Sequence, residues 1–446
     1  MGLSERTRRA DGGRGGVRPP RPRHPGGAPL NRSVETPAAR LLRQLGPVTR
    51  FHDPEVVGDL GLPARLSMEE LLEPVAVAGP NSRLGPLEKV HVFWFAGASC
   101  DGCTVSVTGA RSPSVESLLM GAHPGLPRVV LHHPVVSLES GPAFLRPHEL
   151  AVQDRLDAPY VVVVEGSIGD ESAAVSRGGY WCGQGEEPWG RDGAARDVTA
   201  AEWVARLAPR AAATIAIGTC ATWGGVPAAA GNPMGAMGVV DFLGTGYRSA
   251  AGLPVVNIPG CAPVGDNFTE TVAALLYFLQ GFGPLPEFDG LGRPAWLYTE
   301  TVHQQCRRST SFDEGVYGAE FGDKDCLVEI GCWGPVVQCN IGTRGAINGV
   351  GGCINVGGAC IGCTMPGFPD QFAPFHVKPP PDVASNSVAR LRNGGPRPLR
   401  RFTEARLGEL GPLSGGWADT SIERDTSRPP RRRFYQRALR APTPAR

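Results

Sequence analysis

No apolar run in this sequence approaches the roughly 18 residues that a membrane-spanning helix needs, so no such span is expected. Arg8-Arg9 makes a twin-arginine dipeptide, but the Arg/Gly/Pro-rich stretch behind it is not the apolar core of a secretory leader. A cytoplasmic protein is therefore expected, with peripheral membrane association as the further option. That location also suits twelve reduced cysteines, and disulfides are not expected. Net charge is nearly absent, at +1, yet it is unevenly placed. Residues 1–50 carry eleven arginines against three acids, and residues 387–446 carry fourteen against five, which leaves an acidic body between two basic tails. An acidic body excludes nucleic acid as an expected partner. The tails read as solvated segments, with contact to an acidic partner or an anionic surface as the alternative.

What the chain does have is cysteine, glycine and proline. Its 446 residues allow two or three domains, and 61 glycines with 43 prolines point to long ordered loops. Residues 1–30 are low-complexity and are expected to be a disordered basic tail. A lead-in over 31–87 holds two helical stretches, TPAARLLRQLG and SMEELLEPVA. From Val90 a strand–helix alternation begins. VHVFWFAG (90–97), YVVVVEG (160–166), TIAIGT (214–219) and LPVVNIPG (253–260) read as strands. SPSVESLLMG (112–121) reads as a short helix with a Ser-Pro start and RDVTAAEWVARLA (196–208) as an amphipathic one. NFTETVAALLYFLQG (267–281) reads as a long helix capped by Asn267. This alternation implies an α/β fold with a parallel sheet covered by helices on both faces, placed over 88–290. A loop-rich region follows over 291–380, and a basic extension over 381–446.

The loop-rich region concentrates metal-ligand chemistry. His303, Cys306, Cys326 and Cys332 form one set of four, and Cys339, Cys353, Cys360 and Cys363 a second. Glycine-rich segments between them permit the tight turns that gather ligands on one inorganic core. Two closed zinc sites would also use eight N/S ligands, but structural zinc favours paired Cys-x2-4-Cys knuckles and only one set has such a pair. The spacing favours iron–sulfur, with zinc as the alternative. Four more thiols follow strands directly: Cys100 and Cys103 after the first, Cys220 after TIAIGT, Cys261 after LPVVNIPG. Open parallel sheets bind ligands beyond the carboxyl ends of their strands, so these four could hold one further cluster. Eleven cysteines and His303 then make three quartets. Cys182 has no place in this scheme and reads as a loop cysteine without metal.

Seven motifs match a known family: AGASCDGCTVS at 96–106, VVEGS at 163–167, IGTCATWGG at 217–225, NIPGCAP at 257–263, YTETVHQQC at 298–306, IGCWGP at 330–335 and CIGCTMPGF at 360–368. The chain resembles the small, electron-transferring subunit of nickel–iron hydrogenases over roughly 88–372. The resemblance implies a flavodoxin-like domain followed by a loop-rich iron–sulfur domain. It also implies a large subunit as partner, which holds the nickel–iron centre where H2 is oxidised. A dimer of such heterodimers is expected. Carried over by position, Cys103, Cys220 and Cys261 hold a proximal cluster, with Cys100 as fourth ligand or Asp101 in its place. His303, Cys306, Cys326 and Cys332 hold a distal one. Cys339, Cys360 and Cys363 match the medial ligands, and Cys353 stands where many relatives have proline, which favours a complete 4Fe–4S cluster there. Three 4Fe–4S clusters are thus expected. Gly102 stands where oxygen-tolerant membrane-bound relatives have an extra cysteine, so a six-cysteine proximal cluster is not expected. The CDGC motif and the four-cysteine medial set look like the actinobacterial-type, high-affinity uptake branch. The alternatives are a regulatory H2-sensing subunit and a complex I-type relay subunit; the latter would lack everything from His303 to Cys363. Glu165 is expected to be structural, holding loop N–H groups, and Trp223 and Trp333 to pack around the clusters. The electron acceptor, a protein or quinone-linked carrier, is not identified by these residues.

Overall fold

The computed structural model describes residues 35–45, 84–175, 178–187 and 196–379. Both basic tails and the SMEELLEPVA stretch lie outside the described residues. Seven strands are described: β1 (Lys89–Ala96), β2 (Arg128–His132), β3 (Tyr160–Glu165), β4 (Gly183–Glu187), β5 (Arg196–Thr199), β6 (Ala213–Ile217) and β7 (Val256–Ile258). Five form one all-parallel sheet in the order β2-β1-β3-β6-β7. Counted within the sheet this is the 2-1-3-4-5 order of flavodoxin-like folds, as the resemblance implied. The strands are uninterrupted apolar runs because both faces are covered. Phe93, Phe95, Val162, Val164 and Ala216 face one core with Trp203 and Val204. Val92, Trp94, Val163, Ile215 and Ile217 face the other with Phe268, Val272 and Leu276.

The helices meet the sequence expectations unevenly. The segment 196–208 is not one amphipathic helix. Arg196–Thr199 is β5, paired antiparallel with β4, and the helix occupies only Ala200–Leu207, where every residue is buried. The polar stripe of Glu202 and Arg206 is covered by the hairpin rather than by solvent. Arg206 pairs with Glu202 and Glu187 (2.5 Å to the latter), and Arg196 bridges the same two carboxylates at 2.6 and 2.8 Å. Thr199 caps the helix through Glu202 N–H (3.1 Å). Asn267 is no cap either. Its helix runs Gly265–Gln280 from Val264, and Gly265 lies so close to the Ser106 carbonyl that a Cβ would clash. Asn267 instead exchanges two amide hydrogen bonds with Asn340, 3.0 and 2.8 Å. The short helix Val115–Leu119 starts at Ser114, which accepts from Ser117 N–H, rather than at Ser112-Pro113. LPVVNIPG contributes only the three residues of β7. In the lead-in, the helix Pro37–Leu45 buries Ala38 and Leu41 in the core that holds Trp203. The strand β2 and the helix Gly141–Val152 had no sequence expectation; five residues and an internal Pro147 gave neither a clear period.

Beyond residue 290 regular structure is scarce among the described residues, and loops predominate. Short helices Val302–Gln305, Ser309–Glu314 and Ile341–Arg344 punctuate turns around a small core of Val302, Trp333, Val337, Ile354, Phe368 and Phe372. This region is tied to the sheet edge by Thr219 Oγ1 donating to the Cys363 carbonyl, by the Asn267–Asn340 pair and by Arg344–Glu270 at 2.6 Å.

A histidine stack lies beside β1. His91 Nδ1 meets His132 Nε2 at 2.8 Å, and fully buried His148 packs against Phe93, Phe95 and Trp203. Burial is the first cause that lowers His132 to about 4 and His148 to about 3, against 6.5 for a free imidazole. The unfolded chain therefore binds protons that the folded chain refuses. Stability should be complete above about pH 6.5 and fall below it at a slope of up to about 1.4 kcal/mol per pH unit for each histidine. Denaturant titrations from pH 7 to 4.5 check this; His148→Phe should flatten the slope, and an unchanged slope refutes the assignment.

Candidate metal centres

Four thiols stand at the carboxyl edge of the sheet. Cys100 and Cys103 flank the turn after β1, Cys220 lies in the helix Gly218–Trp223 that continues β6, and Cys261 follows β7. Asp101 takes the left-handed conformation that turns the chain (φ 58), and its N–H donates to Ser99 Oγ at 3.1 Å. Its side chain caps nothing in the helix Gly102–Thr108. Glu165, at the end of β3, accepts from the N–H groups of Cys103 (3.0 Å) and Thr104 (3.2 Å), so the expectation that it holds loop N–H groups is met.

The thiols act on one another. Burial first, then Glu165 and the thiols of Cys220, Cys100 and Cys261, raise the Cys103 pKa far above its ordinary value. Burial raises Cys220 to about 11, with Cys261 and Cys100 adding to it, and Cys261 rises through burial and Cys100. Cys100 thus acts on all three partners, whereas the Asp101 carboxylate acts on His133. Glycines clear the space around the sulfurs. A Cβ at Gly218 would run into Cys103 Sγ, one at Gly225 would lie 2.8 Å from Cys220 Sγ, and one at Gly102 would lie 3.2 Å from Cys100 Sγ. Glycine at these positions lets the backbone pass directly against the sulfurs, as a cradle for an iron–sulfur core requires.

His303, Cys306, Cys326 and Cys332 line one small cavity together with Arg308. The helix Val302–Gln305 presents His303 and ends at Cys306. Its capping box joins Thr301 N–H to Gln304 Oε1 at 2.7 Å and Gln304 N–H to Thr301 Oγ1 at 3.3 Å. Phe312 meets the His303 ring edge-on at 4.7 Å. Backbone N–H groups aim at sulfur: Arg308 N–H at Cys306 Sγ and Cys360 N–H at Cys332 Sγ, both 3.4 Å. Burial pushes Cys326 up to about 12.

Cys339, Cys353, Cys360 and Cys363 lie between these two groups. Cys339, raised by burial to about 12, also feels Cys353; Cys360 feels Cys332, Cys353 and Cys363; Cys363 feels Cys339, Cys353 and Cys261. Residue Cys353 is exposed in this chain, yet its thiol is raised by burial before any other cause. Trp333 is buried against Phe372 (5.0 Å) and donates its backbone N–H to the Cys360 carbonyl at 2.8 Å, while Trp223 Nε1 donates to the Thr364 carbonyl at 3.3 Å. Arg308 joins the two loops, donating to the Asp323 carbonyl at 2.8 Å and to that of Ile354 at 3.3 Å. Neither Arg308 nor Thr219 stood out in the sequence, because each acts through backbone carbonyls distant along the chain. Among the described residues, no three His, Cys, Asp or Glu side chains converge closely enough to hold a single metal ion. Cys182 faces none of these groups; Glu171 accepts its N–H at 2.9 Å, and burial raises its thiol to about 11.

The periplasmic [NiFeSe] hydrogenase small subunit of Desulfomicrobium baculatum is 33% identical over 293 residues, 65% of this chain and 88% of that one. The hydrogenase-2 small chain of Escherichia coli is 32% identical over 337 residues, 74% of this chain and 78% of that one. The chain belongs to the nickel–iron hydrogenase small subunits. The family described as the C-terminal part of the NiFe/NiFeSe hydrogenase small subunit matches residues 298–376, which contain both loop-region quartets. The NADH ubiquinone oxidoreductase 20 kDa subunit family matches residues 100–275, which hold the four edge thiols and every strand of the parallel sheet except β1. A complex I-type relay accounts for that half alone, so that alternative is set aside. Among solved structures, the actinobacterial-type NiFe-hydrogenase from Ralstonia eutropha is 44% identical with a TM-score of 0.64, covering 79% of this chain and 99% of that one. Like these relatives, this hydrogenase small subunit is part of an enzyme complex.

Gly218 has φ +85 and no room for a side chain. If the edge thiols cradle a cluster, Gly218→Ala should lower the iron content by that cluster's share without emptying the loop region; iron and acid-labile sulfide analysis checks this, and a full iron content overturns the cradle assignment.

Proposed function

We propose that this protein relays electrons from H2 oxidation in a nickel–iron large subunit through three 4Fe–4S clusters to an acceptor at its surface. Clusters of this kind accept and release one electron with little rearrangement, because charge spreads over iron and sulfide. Cys103, Cys220 and Cys261 hold the proximal cluster, with the fourth corner at Cys100 or Asp101. The reach of the Cys100 thiol to all three partners supports Cys100 in the fold described, and the uncapped Asp101 carboxylate keeps the second option in play. Cys339, Cys353, Cys360 and Cys363 hold the medial cluster, and His303, Cys306, Cys326 and Cys332 the distal one. The observation that carries the reading is continuity: Cys261 acts on Cys363, and Cys360 on Cys332, so the middle quartet adjoins both others. A donor set of eight loop-region ligands with only one Cys-x-x-Cys pair suits a core bridged by sulfide better than tetrahedral zinc.

The protein's own groups shape this path. Raised thiol pKa values mean that loading must displace protons, so cluster assembly weakens as pH falls. His303 supplies a neutral nitrogen in place of a thiolate, which makes the distal site less negative and raises its potential. Trp333 and the phenylalanines around it keep water from the middle of the path. We divide the chain into the sheet domain of 88–290 and the cluster domain of 291–380. The large subunit, in a dimer of heterodimers, is the partner; the relatives' names as small subunits or small chains support such pairing. Likeness to the actinobacterial-type enzyme, with CDGC and the fourth medial cysteine, supports the high-affinity uptake branch. We place the complex in the cytoplasm, supported by twelve cysteines that are all free. No helix among the described residues is long and apolar enough to cross a membrane.

Co-purification with the large subunit should give twelve cluster iron and twelve sulfide per heterodimer, plus the iron and nickel of the large subunit's own centre, together with H2 uptake; a single-ion zinc content would sink the reading. In that complex, Cys353→Pro should convert the medial cluster to a three-iron form with a new oxidised-state EPR signal, and an unaltered spectrum removes Cys353 from the ligands. Comparing Cys100→Ala with Asp101→Asn identifies the fourth proximal ligand, since only loss of the true ligand changes the proximal spectrum.

A further inference from the structure

Glu165 is 1% exposed and its two oxygens accept from four donors. These are Cys103 N–H (3.0 Å), Thr104 N–H (3.2 Å), Trp94 Nε1–H (2.9 Å) and the Thr104 hydroxyl. The direction of the last bond follows from His133, itself 2% exposed. His133 Nδ1 accepts from Val135 N–H (3.1 Å) and Val136 N–H (3.4 Å), so the ring proton sits on Nε2 and points at Thr104 Oγ1, 3.0 Å away. The hydroxyl then has one direction left for its own proton, toward Glu165. Trp94 closes the arrangement, because its ring packs on His133 (5.0 Å) while its N–H reaches the carboxylate. The result is a desolvated negative charge, fully hydrogen-bonded, beside Cys103 and Cys220. Two first-turn N–H groups that could have served sulfur are committed to it.

We propose that Glu165 is the charge that sets the proximal cluster's potential, and that His133, acting through Thr104, is its positioning residue. The inference rests on the relay described above. A fixed anion beside a cluster opposes the arrival of an electron, so it lowers the potential at this site relative to those further along. The low-dielectric surroundings make one charge count for more than it would in water. His133 matters because a carboxylate free to turn would admit water and be screened.

The test is an EPR-monitored redox titration of the complex with its large subunit, comparing wild type, Glu165→Gln, Glu165→Asp and His133→Gln. Glu165→Gln should raise the proximal midpoint potential and leave the medial and distal ones in place. Glu165→Asp, which keeps the charge, should stay nearer wild type, and His133→Gln should give a smaller rise in the same direction. An unmoved proximal potential in Glu165→Gln overturns the proposal. Should that variant bind no proximal cluster, His133→Gln decides: a rise supports the proposal, and no change assigns Glu165 to folding alone. Absence of a proximal signal in the wild-type complex would instead refute the relay itself.

Discussion

Burial of sulfur is the constraint on which the rest of this molecule depends. A thiolate taken out of water is costly unless a counter-charge meets it, and burial is the first cause raising nearly every ligand thiol here. A metal core repays that cost, which couples cluster loading to the order of the chain around it. The cluster domain shows the consequence. Its core of Val302, Trp333, Val337 and Phe372 is small, its helices are of one or two turns, and its loops are held largely by side chains reaching backbone carbonyls. Such a segment gains much of its definition from what it binds.

The sheet supplies the opposite quality. Five parallel strands with both faces covered make a rigid edge, and three of them deliver a thiol to it. Direct ties then fix the cluster domain to that edge, from Thr219 to the Cys363 carbonyl and from Asn267 to Asn340. Rigidity matters because electron transfer is set by the spacing of its centres, and the middle quartet has neighbours in both of the others. Glu165 belongs to this edge as fully as the cysteines do, closing β3 and organising the turn that carries Cys103.

Much of this was legible in the residues. YVVVVE and ATIAI are strands because β-branched and small apolar runs of that length suit a sheet buried on both faces, and the glycines around CxxC mark tight turns. Where the reading failed, a partner distant along the chain had intervened. Glu202 and Arg206 looked solvent-facing until the hairpin of β4 and β5 covered them, and Asn267 looked like a cap until Asn340 claimed it. Leu41 shows the same effect in reverse, since a short lead-in helix became part of the main core.

The residues alone determined the kind of chemistry, because cysteine and histidine in these numbers, with glycine between them, admit few uses besides metal. They also determined the alternation that makes a parallel sheet. Only the tertiary structure decided which thiols lie near one another and that His133 stands behind Glu165. Period and spacing act over a few residues, whereas these pairings join residues as far apart as Thr104 and His133, 29 positions, or Cys100 and Cys261, at opposite ends of the sheet's sequence. Their geometry exists only once the sheet and the loops have packed.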